Sequence, residues 1–298
     1  MTDTHKGLLS LYLAISLLAG MGLFAKMIEA SALDIIAFRS WIALLTLGLV
    51  ILVTKHSFRM RSGRDYLVVG LLGILLGTHW ITFFHAMRIS TVVVGMTALY
   101  TYPVITVFIE ALFRGKQLQR GDVLCSIVVF AGIYIMAPIN ELDGNIFMGA
   151  AWGVFSAVLF ALRNVVQRQF LSGYSSQVVI FYQVLVTALM LLPFVESDVR
   201  TISPDSLWSL LLLGSVFTAV PHTLIATSLR YLKAKTVGFI GCLQPVLGAM
   251  LAAFVLGEAL NFTTVLGAAL VLAAASYESI LTRKQKPLIP PYSTRTPL

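Results

Sequence analysis

Residues 88–119 read RISTVVVGMTALYTYPVITVFIEALFRGKQLQ, and residues 230–261 read RYLKAKTVGFIGCLQPVLGAMLAAFVLGEALN. The second stretch restates the first. Arg88 matches Arg230, Pro103 matches Pro245, Gly115 matches Gly257 and Leu118 matches Leu260, each pair 142 residues apart. Outward from there, Gly7/Gly149, Leu17/Leu159 and Ala19/Ala161 keep the same spacing. Twice that period reaches residue 284, in the basic stretch Arg283–Lys286 just past the last apolar run. The chain is therefore two tandem halves of similar design, over 1–142 and 143–284, followed by a tail over 285–298. In a chain of membrane type, duplication supplies the two opposed gates that alternating access needs.

The composition is of membrane type. Hydrophobic residues make up 58% of the chain and charged residues 11%, where a soluble domain carries about 25% charged residues. Mean hydropathy is +0.90. A bilayer core of ~30 Å takes about 20 apolar residues as helix. Ten runs approach that length: Leu8–Ile28, Ile35–Val53, Tyr66–Met87, Val92–Leu112, Val123–Ala137, Ile146–Val166, Val178–Val195, Leu207–Leu229, Thr236–Leu256 and Phe262–Leu281. Lipid cannot satisfy a free backbone, so these runs are read as helices. A β-barrel would show alternating segments of about ten residues instead.

The net charge of +8 raises the question of nucleic acid, and its distribution answers it. Basic residues fall in alternate loops: Lys55, Arg59, Arg61 and Arg64; Arg114, Lys116 and Arg120; Lys233 and Lys235; Arg283, Lys284 and Lys286. Asn140–Asn145 and Gly257–Asn261 hold no Lys or Arg. The positive-inside rule then puts both termini in the cytoplasm, with ten crossings. No nucleic-acid module or aromatic-basic patch competes with that reading. Five crossings per half is odd, so the second half is expected inverted against the first. The fold expected is an all-α integral membrane protein of ten transmembrane helices in two inverted five-helix repeats.

The first run lacks a small-residue cleavage site and is read as a retained helix. Cys125 and Cys242 lie inside apolar runs and read as small packing residues. The Pro-rich, polar tail reads as disordered. Enzyme signals are missing: no phosphate loop with Lys-Ser/Thr, no His-Glu-x-x-His pair, no Cys cluster, no Ser-centred nucleophile elbow. No cofactor is called for, and oligomeric state is not legible.

Several motifs occur in order. Ile36-Ala37-Phe38-Arg39 opens the second run, His79-Trp80-Ile81-Thr82-Phe83-Phe84-His85-Ala86-Met87-Arg88 ends the third, and Tyr100-Thr101-Tyr102-Pro103-Val104 sits in the fourth. Gln244-Pro245-Val246 lies in the ninth, and Leu256-Gly257-Glu258-Ala259-Leu260 follows it. With the duplicated five-helix unit, over about residues 7–284, these resemble the EamA family of the drug/metabolite transporter superfamily. The first half departs at Arg114-Gly115-Lys116-Gln117-Leu118, where Lys116 stands at the family's usual Glu. The resemblance implies an exporter of small metabolites in a bacterial inner membrane, without naming the metabolite.

Intramembrane polar groups are costly and usually face a bundle interior. Arg39, with Asp34 as a local counter-charge, reads as a substrate contact or as an outer anchor. Arg163 reads as snorkelling to cytoplasmic headgroups. His79 and His222 read either as hydrogen-bonded to a neighbouring helix carbonyl or as lining a cavity that contacts substrate or exchanges protons. His222 matches Trp80 at the 142 offset. Tyr100, Tyr102 and Pro103 lie opposite Gln244 and Pro245, where proline frees a carbonyl near a midplane site. Gly238, Gly241 and Gly248 form a small-residue stripe that permits close approach. Glu110 lies near the end of its run and Glu278 at a helix end, so no deep acid array is expected.

The candidate substrate site is thus Arg39, His79, Trp80, Tyr100, Tyr102, His222 and Gln244, enclosing one central cavity. The expected function is a secondary transporter that exports small polar or zwitterionic metabolites, amino acids among them. Its partners are that small-molecule substrate and the lipid bilayer. The alternative is a flippase for a lipid-linked substrate.

Overall fold

A computed structural model of the chain describes residues 2–21, 28, 30–90, 92–114, 120–136, 144–195, 202–256 and 262–284. The described residues are helical, with no strand. The order is α1 (Asp3–Ala19), α2 (Ala32–Val53), α3 (Gly63–Ile89), α4 (Val92–Leu99), α5 (Tyr102–Arg114), α6 (Arg120–Met136), α7 (Gly144–Leu171) and α8 (Ser176–Leu191). A 3-10 turn at Leu192–Phe194 follows, then α9 (Pro204–Gly214), a π-turn (Ser215–Ala219), α10 (Val220–Tyr231), α11 (Ala234–Gly241), α12 (Leu243–Leu256) and α13 (Phe262–Lys284). The tail, Asn140 and the Gly115/Gly257 and Leu118/Leu260 pairs lie outside the described residues, as does most of the Leu256–Leu260 motif.

Short sequence signals start these helices. Ser31 accepts from Asp34 N at 3.1 Å and Ser62 from Asp65 N at 3.3 Å, so each hydroxyl takes a backbone donor the first turn leaves free. Asp34 and Asp65 also place a negative charge where the helix dipole favours it. Five stretches are long and apolar enough to cross a bilayer: Leu33–Val53, Gly63–Ile89, Gly144–Leu171, Ser176–Phe194 and Pro204–Tyr231. Shorter apolar helices run over Tyr102–Phe113 and Val265–Leu281.

The fourth and ninth runs, read as single helices, are each two helices. The first breaks at Tyr100–Thr101 and the second at Cys242, two to three residues before Pro103 and Pro245. Proline has no N–H to donate back, so the carbonyl a turn earlier loses its partner and the helix restarts at that point.

The 142-residue period survives in three dimensions. α4 and α5 begin where α11 and α12 do after that shift, to within a residue, and α6 begins where α13 does. Packing shows the same exchange. α3 lies along α7, and its counterpart α10 lies along α1, the counterpart of α7. A Cβ on Gly7 would touch Leu232, and one on Gly149 would touch Ser90, the residue 142 before Leu232. Contacts that swap partners between halves are what a two-fold relation between them would give. α2 on α8, and α6 on α13, are helices packed against their own counterparts.

Apolar side chains cover the outside. Leu67 is 76% exposed, Leu112 86% and Phe254 90%. Polar groups go inward: Arg39, Ser40, Arg163, Asn164, Gln167, Gln183, Thr187 and Thr218 are buried. An exposed apolar shell of this extent is a lipid-facing surface.

Candidate functional site

α3 carries His79 and Trp80 as neighbours in the chain, and two further helices close on them. From α2, the Arg39 guanidinium carbon lies 4.2 Å from the Trp80 ring centroid. A desolvated cation over an indole face is worth about 2 kcal/mol. From α10, the His222 ring meets Trp80 edge-on at 5.4 Å and 84°. These two residues are 142 apart, so a residue touches its own counterpart in the other half.

The backbone before His222 is built to hold it. Pro221 cannot donate, and the turn ahead of it widens to a π-turn in which Val220 N donates to Ser215 O. Thr218 Oγ1 donates to Leu213 O at 2.7 Å, and the Thr218 carbonyl faces His222 Nδ1 at 3.0 Å. A carbonyl only accepts, so Nδ1 carries the proton and Nε2 keeps its lone pair. His79 has the same tautomer for a different reason. Ser156 Oγ donates its one proton to the His79 carbonyl at 2.8 Å, so at 2.7 Å from His79 Nδ1 it must accept. His79 thus bonds to a neighbouring helix, as one sequence reading has it, whereas His222 bonds to the turn just before it; both are buried against the candidate cluster.

A second ring chain leaves His79. Phe160 of α7 stacks on His79 at 4.7 Å, Tyr102 meets Phe160 edge-on at 4.9 Å, and Tyr100 lies 6.1 Å from Tyr102. Tyr102 Oη donates to Gly238 O at 3.1 Å, which ties the restart of α5 to α11. Gly238 and Gly241 allow that approach: a Cβ at Gly238 would lie 3.2 Å from Pro103 Cα, and one at Gly241 would overlap the Tyr102 hydroxyl. Six of the seven candidate residues are therefore joined through Trp80 and Phe160. Gln244 makes its bond elsewhere, its amide donating to Leu18 O of α1 at 3.3 Å.

Two expectations are corrected. Arg163 does not snorkel: it is fully buried, its Nε donating to Gln183 Oε1 at 2.8 Å and its Nη1 to Asn164 Oδ1 at 3.1 Å. Gln183 Nε2 donates on to Gln167 Oε1 at 2.9 Å, and Thr187 Oγ1 to Gly73 O at 3.0 Å. The amide oxygens of Gln183 and Asn164 hold its Nε and Nη1 and turn it away from the surface. Asp34 does not pair with Arg39; its carboxylate accepts from Ser31 Oγ at 2.8 Å.

The sequence reading also missed an acid cluster. Lys235, read as a loop charge, is buried and ion-paired with Asp122. Glu110 Oε2 accepts from Lys235 N at 3.0 Å, and Glu278 Oε1 from Thr236 Oγ1 at 2.5 Å. Helices α5, α6 and α13 thus each bring a carboxylate to the start of α11. The sequence signal for the Arg163 network was present: Arg163, Asn164 and Gln167, then Gln183 and Thr187, are polar residues at helical spacing in apolar helices. The acid cluster had no such signal, because its members are far apart in the chain.

Comparison with known proteins decides the family. The EamA-like transporter family matches residues 5–137 and again residues 147–277, one match per half. The chain belongs to the EamA-like transporter family. This EamA-like transporter is 22% identical to an uncharacterized transporter, YxxF, of Bacillus subtilis (strain 168), over 93% of this chain and 90% of that protein. It is 22% identical to the S-adenosylmethionine uptake transporter of Rickettsia prowazekii (strain Madrid E), over 73% of each. A solved crystal structure shares its fold with a TM-score of 0.81, at 18% identity, covering 94% of this chain and 98% of that one. The chain is a multi-pass membrane transporter of this type, acting on a small molecule.

Proposed function

We propose that this EamA-like transporter exports small polar or zwitterionic metabolites, amino acids among them, across a bacterial inner membrane by alternating access. Arg39, His79, Trp80, Tyr100, Tyr102, His222 and Gln244 form its central site. The observation that carries the reading is the Trp80–His222 contact between residues 142 apart. In an inverted repeat the pseudo-two-fold axis lies in the membrane plane, so a contact on that axis sits at the midplane, where such proteins bind solute. Ten crossings, cytoplasmic termini and inversion follow from the alternate basic loops, and the exchanged contacts of Gly7 and Gly149 are in keeping with a two-fold relation between the halves.

The chemistry of the site suits a carboxylate. Arg39 keeps Nε without a hydrogen-bond partner in a buried setting, where a charge-assisted bond is strongest. Trp80, Tyr100 and Tyr102 offer faces to an apolar part of the solute, and the two His Nε2 atoms offer acceptors to an ammonium. The name of the Rickettsia relatives points to a solute with an amino-acid group, although to uptake rather than export. The central rings touch one another, so solute binding requires the two halves to part, as alternating access does.

Flux in liposomes containing only this protein tests the reading. Counterflow of amino acids and related carboxylates should appear, and Arg39→Gln should weaken it by about ten- to hundredfold, the loss of roughly 1.5–3 kcal/mol from a hydrogen bond to a charged group. Wild-type flux by Arg39→Gln at matched expression would misplace the site. Transport of lipid-linked sugars instead would favour the flippase. Sidedness follows from comparing inside-out with right-side-out vesicles.

A further inference from the structure

Two buried guanidiniums flank the His79–Trp80 pair, and among the described residues no carboxylate pairs with either. Arg39 is 2% exposed and lies on Trp80, with Nε unpartnered. Arg163 is fully buried, and its Nη2 has no hydrogen-bond partner. Ser156, Phe160, Arg163 and Gln167 recur at helical spacing and share one face of α7. Ser156 bonds to His79 and Phe160 stacks on it. Arg163 therefore stands one turn from that stack, while Arg39 covers the next residue of α3.

The groups around Arg163 orient it without neutralising it. Its partners Gln183 and Asn164 are neutral amides. Gln183 hands on to Gln167, which lines a small crevice with Ser172, Ser176 and Arg230. The Ser172 and Ser176 hydroxyls have no hydrogen-bond partner among the described residues. A cation held away from water is costly without a counter-charge, and two cations that share a neighbourhood repel. A ligand that brings one negative group to each relieves both. The planar guanidinium fork matches a carboxylate at each end.

We propose that Arg39 and Arg163 form a two-point anion site that selects dicarboxylates over monocarboxylates. This rests on the reading of the central cluster as the solute site.

The test uses the purified full-length protein in detergent, with thermal unfolding as the readout. The probes are the dicarboxylates malonate through adipate, each against the monocarboxylate of equal chain length, and inorganic phosphate. At least one dicarboxylate should raise the unfolding midpoint at a concentration about tenfold below its monocarboxylate. Arg163→Gln should abolish that preference while weak monocarboxylate binding persists. Arg163→Lys, which keeps the charge, should retain part of it and covers the case where the Gln variant does not fold. The proposal is overturned if no dicarboxylate shifts the midpoint, if each pair stabilises alike, if phosphate outdoes them all, or if Arg163→Gln keeps the preference. Those outcomes leave the central site standing, because Arg39→Gln in the flux assay tests that site with monocarboxylate and zwitterionic solutes.

Discussion

Gly241→Ala separates a glycine that is needed from one that is merely present. Gly241 closes α11 where Tyr102 passes it, and a methyl there would fall under 3.0 Å from the Tyr102 hydroxyl oxygen. The tyrosine has little room to retreat. Its ring sits edge-on to Phe160 at 4.9 Å, its hydroxyl is bonded to Gly238 O at 3.1 Å, and the next residue, Pro103, already crowds Gly238. Overpacking of this kind costs about 1–3 kcal/mol. Displacing the hydroxyl adds roughly 1 kcal/mol for the lost bond. The gain from replacing glycine in a helix offsets at most about 1 kcal/mol. The net expectation is a destabilisation of about 1–3 kcal/mol. Gly248→Ala is the control, since its new Cβ would lie 3.7 Å from Ala19 O, an ordinary contact. Thermal unfolding of both variants in detergent, at matched purity, should rank Gly241→Ala well below Gly248→Ala. Adding Tyr102→Phe should recover part of the loss, because it removes the oxygen that collides. Equal stability of the two alanine variants, or no recovery by Tyr102→Phe, would refute the close-approach argument.

Two other outcomes are expected. Asn145→Cys should be labelled by an impermeant thiol reagent from outside intact cells, and Arg61→Cys only in inside-out vesicles; both positions are exposed, and native Cys125 and Cys242 are buried. The reverse accessibility would sink the inverted topology. At the turn between α7 and α8, Tyr174 donates to Asp65 at 2.5 Å and accepts from Arg61 N at 2.9 Å. Burial first, and then the bond to Asp65, push its hydroxyl up to about 12. The folded state thus holds the Tyr174 proton more tightly than the unfolded chain, whose tyrosine loses it near 10. Its stabilisation is present below that pH and is lost as pH rises toward about 12. Unfolding curves of Tyr174→Phe should lack this alkaline decline, and an unchanged decline would place its cause elsewhere.

Much of the architecture is written locally. Apolar runs, serine caps and two prolines dictate helices, and dictate breaks beside Pro103 and Pro245, because hydropathy and a missing N–H act on the residues nearest them. The 142-residue period is equally visible in the string. Residues 80 and 222 could be matched on paper as counterparts, and the family could be recognised from ordered motifs. What the string could not say is that Trp80 and His222 touch, because that depends on how the halves dock. Nor could it say where a long side chain ends. Arg163 looked free to reach headgroups, and only the packing of α7 and α8 against α3, with Gln183 and Asn164 in reach, turned it inward. Lys235 looked like a loop charge until α5, α6 and α13 brought Glu110, Asp122 and Glu278 to it. Hydrophobic periodicity and backbone donors act over a turn or two of helix, so sequence alone determines the elements. Charge pairing and ring contact act across space between helices remote in the chain, so tertiary structure alone decides them.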